Sequence, residues 1–418
     1  KLYNKKYKEG KGFMDKIIFG ITGLTMGGAE RVLIDTANAL VDKYDITIFT
    51  IYSKGELEKE LKSNIQLISL YDFKYSEMSK IKKILMPLKV LMTRKRIYKK
   101  YIEKDDYIAQ IAFLEGAITR IFSTKGKTKK IAWIHNDITK VFGKSLKAKI
   151  KKKFDKKIYE KYDTLVFVSK DNLDKFNGMY SNMKLPYETV IHNYIDPDRI
   201  LKLANLNKEA NQLINKRELN IVQISRLVEQ KAIERLIKVH TKLIKKGYAH
   251  HIYIIGDGPL KGKLERQIME NGVRQSFTLL GAKQNPYPFM KIANAISLFS
   301  YFEGYPMVIE EAKILRKYIL TTDTAAREVL INYPNCMVVP NDEDGIEKAI
   351  RTIIKGNIEK SNKSNDYKYS NDEAINKIVK IIEKKNNENL LKGTDGTNNL
   401  WADTGKNAMV QRTGTMGD

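Results

Sequence analysis

Two acidic residues in the stretch FEGYPMVIEEA (residues 302–312) have the spacing of a ligand-binding pair. Glu303 and Glu311 are separated by seven residues. Gly304 and Pro306 predict a turn after the first carboxylate, and a helix is predicted to contain the second, so the two can face different ends of one ligand. Because carboxylate oxygens accept hydrogen bonds, the pair suits the hydroxyls of a sugar or a ribose. The alternative is that both are helix-start acids favoured by the helix dipole.

A basic pair stands in the stretch SRLVEQK (residues 225–231), directly after an apolar run at 220–224 that predicts a strand. Ligands of open parallel sheets bind beyond the carboxyl ends of the strands, so Arg226 and Lys231 can both point into such a crevice. A guanidinium fork and an ammonium group together suit a diphosphate. Taken alone, each of them is more often a solvated surface residue.

Two further features lie at predicted strand ends in the first half of the chain. Gly27 and Gly28 follow the strand predicted at 16–21 and precede a helical pattern, and the free N–H groups of such a turn favour a phosphate. Their spacing is not that of the GxGxxG dinucleotide motif, and a tight turn without a ligand is the alternative. His135 ends the strand predicted at 130–134, where it suits acid–base chemistry, sugar binding or a structural role.

The elements that position these residues are short apolar runs, which alternate with amphipathic helical patterns in two series. This alternation predicts an α/β protein with two doubly wound parallel sheets. The strands of the first series are predicted at 16–21, 45–51, 66–70, 107–112, 130–134, 164–168 and 189–192. The strands of the second series are predicted at 220–224, 251–255, 276–280, 296–300, 318–321 and 336–339.

The two series also predict the domain organisation. We assign residues 14–199 to an N-terminal Rossmann-like domain and residues 217–358 to a C-terminal one. Residues 371–385 are expected to form a C-terminal helix that packs back on the first domain. Residues 1–13 are interpreted as an extension, and residues 386–418 as a disordered tail or a segment added for expression.

The composition excludes several classes of protein. With 42% hydrophobic residues the chain can build cores, and it contains no run of 18 apolar residues that would predict a membrane span. The single cysteine, Cys336, excludes an internal disulfide framework and a cysteine-rich metal site. No set of His, Asp and Glu residues at the predicted strand ends has the spacing of metal ligands. The cytosol is therefore the expected compartment.

The formal net charge of +26 lies mainly in the first half of the chain. Residues 79–104 hold ten Lys and Arg against one acid, with apolar residues interleaved, and residues 140–161 hold ten Lys against two acids. Such segments indicate a polyanionic partner, which would be nucleic acid, an anionic membrane surface or a phosphate-bearing substrate. Solvated lysines without a partner are the alternative. Nucleic acid is disfavoured because no RNP, KH, zinc-finger or helix-turn-helix pattern occurs.

Taken together, the motifs resemble the family 4 glycosyltransferases, which have the GT-B fold. The stretches that carry the resemblance occur in the family's order: GGAERVL, VFVSK, VIHNYID, SRLVEQK, IIGDGPLKGKLE, FEGYPMVIEEA and TTDTAAREVL. Three sites depart from its pattern, where the family commonly has glycine after the basic pair, Gly-Gly before the late glutamate and Asn-Gly at the hinge. This chain has Ala232, Ala325–Ala326 and Asn193–Tyr194 at those sites.

The resemblance implies a retaining, metal-independent transferase that needs no cofactor besides its nucleotide-sugar, with a UDP-sugar favoured over a GDP-sugar. The second domain would hold this donor, and the first would hold a glycan or lipid-linked acceptor. Arg226 and Lys231 would bind the diphosphate, Glu311 the ribose and Glu303 the donor sugar. The implied donor site consists of Gly27, Gly28, Arg226, Lys231, Glu303, Gly304, Met307, Val308 and Glu311.

The implied catalytic residues are Glu303, His135, Arg226 and Lys231, and Glu328 is a further candidate contact of the phosphates or the nucleotide. The resemblance also gives the basic segments a role in docking on an anionic membrane, and hence a peripheral location on the cytoplasmic face of the cell membrane. Two alternatives remain open at this point. They are a nucleotide-sugar epimerase, which shares the architecture, and a basic nucleic-acid-binding protein.

Overall fold

The structure of this chain is a computed structural model. It describes residues 14–141, 146–180, 186–206, 208–214, 219–356, 369–370 and 372–384. The predictions for residues 1–13 and 386–418 lie outside the described residues, as does part of the basic segment 140–161.

Thirteen strands form two parallel sheets in the described part of the chain. The first sheet has the order β3-β2-β1-β4-β5-β6-β7 and the second has the order β10-β9-β8-β11-β12-β13. The strands of the first sheet are β1 Lys16–Ile21, β2 Asp45–Tyr52, β3 Gln66–Tyr71, β4 Tyr107–Ala112, β5 Lys129–Ile134, β6 Thr164–Phe167 and β7 Tyr187–Val190. Those of the second are β8 Asn220–Ile224, β9 His251–Ile255, β10 Phe277–Gly281, β11 Ala295–Leu298, β12 Tyr318–Thr322 and β13 Cys336–Val339.

Helices connect the strands of both sheets. In the first half they are α1 Gly28–Leu40, α2 Lys80–Tyr101, α3 Ala117–Phe122, α4 Ile138–Val141, α5 Leu146–Tyr159, α6 Lys170–Met179, α7 Pro197–Ala204 and α8 Lys208–Leu213. In the second half they are α9 Ile233–Lys245, α10 Lys261–Glu270, α11 Tyr287–Ile292, α12 Met307–Ile314, α13 Ala326–Val329, α14 Glu343–Ile354 and α15 Asp372–Glu383. None of the described helices is long and apolar enough to cross a membrane.

The prediction of two doubly wound α/β domains is confirmed. Strands such as β2, in which every residue after the first is buried, are covered on both faces, as continuous apolar runs require. The predicted bounds coincide with the observed ones for β1, β4, β8, β9 and β13. The prediction was wrong by two residues at β7, because this edge strand pairs with β6 only from Tyr187 to Val190. His192 therefore lies beyond the sheet.

The chain crosses between the two sheets in both directions. After β7, Asp196 caps α7 by accepting a hydrogen bond from the backbone N–H of Arg199, and Pro197 stands at the first helical position. Helices α7 and α8 then pack against α11, and α7 also packs against α12. At the other end, α15 returns to α1 and β4 of the first sheet, where the hydroxyl of Tyr44 donates to the carboxylate of Glu383.

Candidate active site

The N-terminus of α1, which belongs to the first domain, faces the N-terminus of α12 in the second. A Cβ atom built on Gly28 would lie 3.7 Å from Cγ of Met307. The side-chain amide of Asn193, from the segment after β7, donates a hydrogen bond to the sulfur of Met307 at 3.1 Å. Gly27 caps α1 with extended backbone. The structure therefore brings Gly28 up to Met307, although the two residues are far apart in sequence.

The ammonium of Lys231 forms an ion pair with the carboxylate of Glu303, with 2.6 Å between Nζ and Oε1. Both side chains are largely buried, at 15% and 7% exposed. The loops that carry them are joined by Gln230, whose side-chain amide donates to the carbonyl of Phe302 and whose own carbonyl accepts from the N–H of Tyr301. Two residues that the sequence assigned to different parts of a ligand are thus in direct contact.

Arg226 lies at the same end of the second sheet, two residues after the end of β8, and its side chain is exposed. It faces Glu30 of α1: burial raises the pKa of the Glu30 carboxyl, and the nearby charge of Arg226 opposes that rise. The backbone carbonyl of Arg226 accepts from the N–H of Val228, but within the described residues its guanidinium has no hydrogen-bond or salt-bridge partner. Its guanidinium can therefore bind an anion that enters between the domains.

His135 of the first domain and Gly304 of the second lie against each other. A Cβ atom on Gly304 would lie only 2.5 Å from the carbonyl oxygen of His135, so this position requires glycine. The imidazole packs on the ring of Phe113 with 4.9 Å between the centroids, and it donates to the carbonyl of the same residue. Its buried Nε2 has no partner among the described groups. Burial lowers the pKa of His135 to about 3, so the ring is neutral at pH 7.

Glu311 lies inside α12, as predicted, about one helical turn beyond the loop that carries Glu303. The hydroxyl of Tyr287 donates a hydrogen bond to its Oε1 at 3.1 Å, and burial raises the pKa of the carboxyl. Val308, on the same helix, is half-buried and packs against the apolar core between the layers. The two carboxylates of the motif thus have different partners, which fits the expectation that they face different ends of a ligand.

A family model described as glycosyl transferases group 1 matches residues 205–371. These residues carry the basic pair, both glutamates and the second sheet. Over this part, the chain is similar to the group 1 glycosyl transferases. The chain is therefore an enzyme, a glycosyltransferase, and its two facing domains have the GT-B fold.

The similarity of this glycosyltransferase to known proteins extends across both domains. An uncharacterized glycosyltransferase from Methanocaldococcus jannaschii is 27% identical over 297 residues, which are 68% of this chain and 70% of that protein. An N-acetylgalactosamine-N,N'-diacetylbacillosaminyl-diphospho-undecaprenol 4-alpha-N-acetylgalactosaminyltransferase from Campylobacter jejuni is 25% identical over 355 residues, which are 82% of this chain and 91% of that one. The crystal structure of HepE from Anabaena in complex with UDP and glucose superposes with a TM-score of 0.65 and 14% identity, covering 88% of this chain and 99% of that one.

Three residues of this glycosyltransferase contribute contacts that sequence reasoning did not assign. Glu115 follows β4 and accepts hydrogen bonds at 2.8 Å from the backbone N–H groups of both His135 and Asn136, so it holds the loop that carries the histidine. Tyr287 contacts Glu311. His192, which the sequence analysis did not include in the site, stacks on Tyr305 of the second domain at 5.1 Å. Glu115 could have been found from the sequence, because it is an acidic residue that stands shortly after the end of the predicted strand 107–112.

Glu328 contacts the first domain in this glycosyltransferase rather than an open ligand space. Its two carboxylate oxygens accept hydrogen bonds at 2.7 Å from the backbone N–H groups of Lys170 and Asp171, the first two residues of α6. Free N–H groups at a helix N-terminus favour a negative charge, and here the other domain supplies it. In the part of the chain that the structure describes, no group of three His, Cys, Asp or Glu side chains is placed to hold a metal ion.

Proposed function

We propose that this glycosyltransferase moves a sugar from a nucleotide-sugar, with a UDP-sugar as the favoured donor, to a membrane-associated glycan, and that it retains the anomeric configuration without a metal ion. The observation that carries the proposal is the buried pair of Lys231 and Glu303. This pair lies at the carboxyl end of β8 and β11, beside the exposed Arg226 and opposite the N-terminus of α1. An ammonium, a guanidinium and a carboxylate are thus gathered at one end of the sheet.

The charges of this site suit the departure of a diphosphate. As the bond between the anomeric carbon and the phosphate oxygen breaks, positive charge develops on the sugar and negative charge on the leaving group. Arg226, Lys231 and the N-terminus of α1 at Gly28 stabilise the leaving group, and each such donor is worth about 10²–10³ in rate. Glu303 holds Lys231 and accepts hydrogen bonds from the hydroxyls of the donor sugar. Glu311 accepts those of the ribose.

His135 serves as a hydrogen-bond acceptor for the donor sugar. With a pKa of about 3 the imidazole is neutral at pH 7, and its one N–H donates to the carbonyl of Phe113, which argues for sugar binding over general acid catalysis. The unpartnered Nε2 is the atom that accepts a sugar hydroxyl. The acceptor hydroxyl then attacks from the face that the diphosphate leaves, and the leaving phosphate oxygen takes its proton. The glycosidic bond forms, the sugar–phosphate bond breaks, and the configuration is retained.

The acceptor is proposed to be lipid-linked, which is supported by the name of a relative and by a surface of the first domain. The name of the Campylobacter jejuni relative describes transfer to a glycan on diphospho-undecaprenol. In the present chain, α2 presents one apolar row to solvent, which we call the α2 stripe. It consists of Ile81, Leu85, Leu88 and Met92, each more than half exposed.

The α2 stripe has the geometry of a membrane-docking face. Its members stand at i, i+4, i+7 and i+11, and therefore on one side of the helix. The exposed Lys95 and Lys99 continue the same side one and two turns further on. The opposite side is buried through Val90, Ile97 and Tyr98. Apolar insertion combined with basic residues is the pattern of helices that lie on anionic leaflets. The proposal therefore includes peripheral binding to the cytoplasmic face of the cell membrane.

A panel of UDP-, GDP- and ADP-sugars tests the proposed activity. We expect one UDP-sugar to raise the melting temperature and to be consumed in the presence of a lipid-linked glycan, at the same rate with and without EDTA. Activity that EDTA abolishes and Mg²⁺ or Mn²⁺ restores contradicts the metal-independent mechanism. Conversion of the nucleotide-sugar to its epimer without an acceptor would instead support the epimerase.

A further inference from the structure

The contact between Tyr287 and Glu311 is one end of a hydrogen-bonded series that crosses from the second domain to the first. Nη1 of Arg199, on α7, lies 3.3 Å from the phenol oxygen of Tyr287. Nη2 of the same guanidinium donates to Oδ2 of Asp35, on α1, at 2.9 Å. Glu311, Tyr287, Arg199 and Asp35 thus form a continuous row of partners. We call it the α12–α1 relay.

The direction of the hydrogen bonds in the relay follows from chemistry. A guanidinium has no acceptor, so the phenol oxygen of Tyr287 must accept from Arg199. Its single proton is then left for Glu311, and Oε1 of that carboxylate is occupied. Oε2 has no hydrogen-bond partner among the described residues and can accept from a ligand. The relay therefore determines which carboxylate oxygen of Glu311 is available to a ligand.

The surroundings hold Tyr287 in place. Its ring is only 6% exposed, and the guanidinium of Arg199 lies 5.8 Å from the ring centre. Asn285 accepts a hydrogen bond from the backbone N–H of Tyr287 and donates to the carbonyl of Leu203, on α7. Tyr287 is therefore held in place by α7, which links the domains, as well as by its own helix α11. Asp35, at the far end, is 4% exposed and also accepts from the backbone N–H of Asp196.

We infer that Tyr287 is a positioning residue for the nucleotide, which orients Glu311 toward the ribose hydroxyls, and that Arg199 and Asp35 make this orientation depend on the first domain. The inference rests on the proposed donor site. Tyr287 does not touch the reacting atoms. Its contribution is the same in the ground state and in the transition state, so its loss raises KM for the donor and leaves kcat nearly unchanged.

The test compares UDP binding and donor kinetics of full-length variants. Tyr287→Phe keeps the buried ring and removes only the phenol oxygen. It is expected to weaken UDP binding about tenfold and to raise KM for the donor by a similar factor, with kcat within about twofold of wild type. Asp35→Asn is expected to weaken UDP binding several-fold. Tyr333→Phe is the matched control, because it removes a buried hydroxyl that bonds the carbonyl of Lys317 outside the relay, and its UDP affinity should equal that of wild type.

A double variant shows whether Tyr287 acts through the carboxylate. In a Glu311→Ala background, Tyr287→Phe should have no further effect on UDP affinity. Equal UDP affinity of wild type and Tyr287→Phe, or an undiminished effect of that substitution in the Glu311→Ala background, overturns the inference. An unchanged affinity in Asp35→Asn overturns the dependence on the first domain. If the wild type binds none of UDP, GDP and ADP, the proposed donor site itself fails.

Discussion

Nζ of Lys231 lies 2.6 Å from Oε1 of Glu303, and the pair is buried where the second domain faces the first. Such a pair holds both charges in place, but it also makes each of them depend on the other. Removal of one partner leaves an uncompensated buried charge, which costs about 3–5 kcal/mol. The exposed Arg226 carries no such dependence.

This difference predicts that the two members of the basic pair have separable effects. Lys231→Ala should lower the free energy of unfolding by about 3 kcal/mol, whereas Arg226→Ala should change it by less than about 0.5 kcal/mol. Both should lower sugar transfer at least about 100-fold, because each removes a positive charge from the leaving diphosphate. Urea unfolding and a transfer assay measure the two effects. The double variant Lys231→Ala/Glu303→Gln should recover stability without recovering activity, and near-normal turnover of Arg226→Ala would contradict the assignment.

Ala232 has a left-handed backbone, with φ of 50° and ψ of 34°, directly before α9. A non-glycine residue in this region is strained by about 1–2 kcal/mol, so we expect Ala232→Gly to raise the free energy of unfolding by about 1 kcal/mol. Ala349→Gly is the control, since Ala349 lies inside α14 and its replacement should lower stability by at least about 1 kcal/mol. Chemical denaturation of the three proteins tests this. A destabilised Ala232→Gly would show that the methyl group contributes more than the strain costs.

A buried pair of histidines in the second domain predicts a loss of stability in mild acid. Nδ1 of His240 lies 2.9 Å from Nε2 of His250, and burial lowers their pKa values to about 3 and about 4. Because these values lie below the unfolded pKa of about 6.5, the unfolded chain binds protons that the folded protein does not. Their contribution to stability is complete above pH 6.5 and decreases as the pH falls from 6.5 toward 4, by about 2 kcal/mol for each group at pH 5.

The pH dependence of unfolding checks this prediction. His250→Gln should show a smaller decrease in stability between pH 7 and pH 5 than wild type. Ser276→Ala is the matched control, because it removes the hydroxyl that bonds Nε2 of His240 but no titrating group. Its stability curve should lie parallel to that of wild type. Equal slopes for all three proteins would contradict the assignment.

The contact of Glu328 with α6 predicts a defined change in hydrogen exchange. The backbone N–H groups of Lys170 and Asp171 donate to this carboxylate, and burial raises its pKa. Glu328→Ala should speed the exchange of these two amides, since loss of a helix cap costs about 1 kcal/mol. Arg327→Ala is the control, because its guanidinium bonds Asp323 within the same domain. If the two amides exchange at the same rate in Glu328→Ala as in wild type, the interdomain cap does not form in solution.

The α2 stripe predicts binding to anionic vesicles. Leu88→Ser/Met92→Ser should reduce sedimentation with anionic liposomes by at least tenfold, because apolar insertion is lost while the charge is kept. Replacing Lys95 and Lys99 by Glu should reduce it further, and raising the salt from 0.1 M to 1 M should act in the same direction, since the Debye length falls from about 10 Å to about 3 Å. Met269→Ser removes another exposed methionine, from the second domain, and serves as the control. If all variants sediment equally, the membrane-docking proposal is wrong and these lysines are solvated residues without a partner.

The sequence alone determined the elements and the local placement of the chemistry. The bounds of β1, β4, β8, β9 and β13 follow from hydrophobic periodicity, which depends on the neighbours of each residue along the chain. For the same reason Glu303 could be placed in a loop and Glu311 in a helix. The departure at Ala232 could also be read from the motif, although only the structure shows that its backbone is left-handed.

The tertiary structure alone decided which side chains meet. Tyr287 and Glu311 are 24 positions apart, Glu115 and His135 are 20 apart, and Glu328 and Lys170 are 158 apart. No local pattern encodes these partners, because they depend on the order of the strands and on how the two domains face each other. Hydrogen bonds and ion pairs act over about 3 Å, so a small change in that packing would exchange one partner for another.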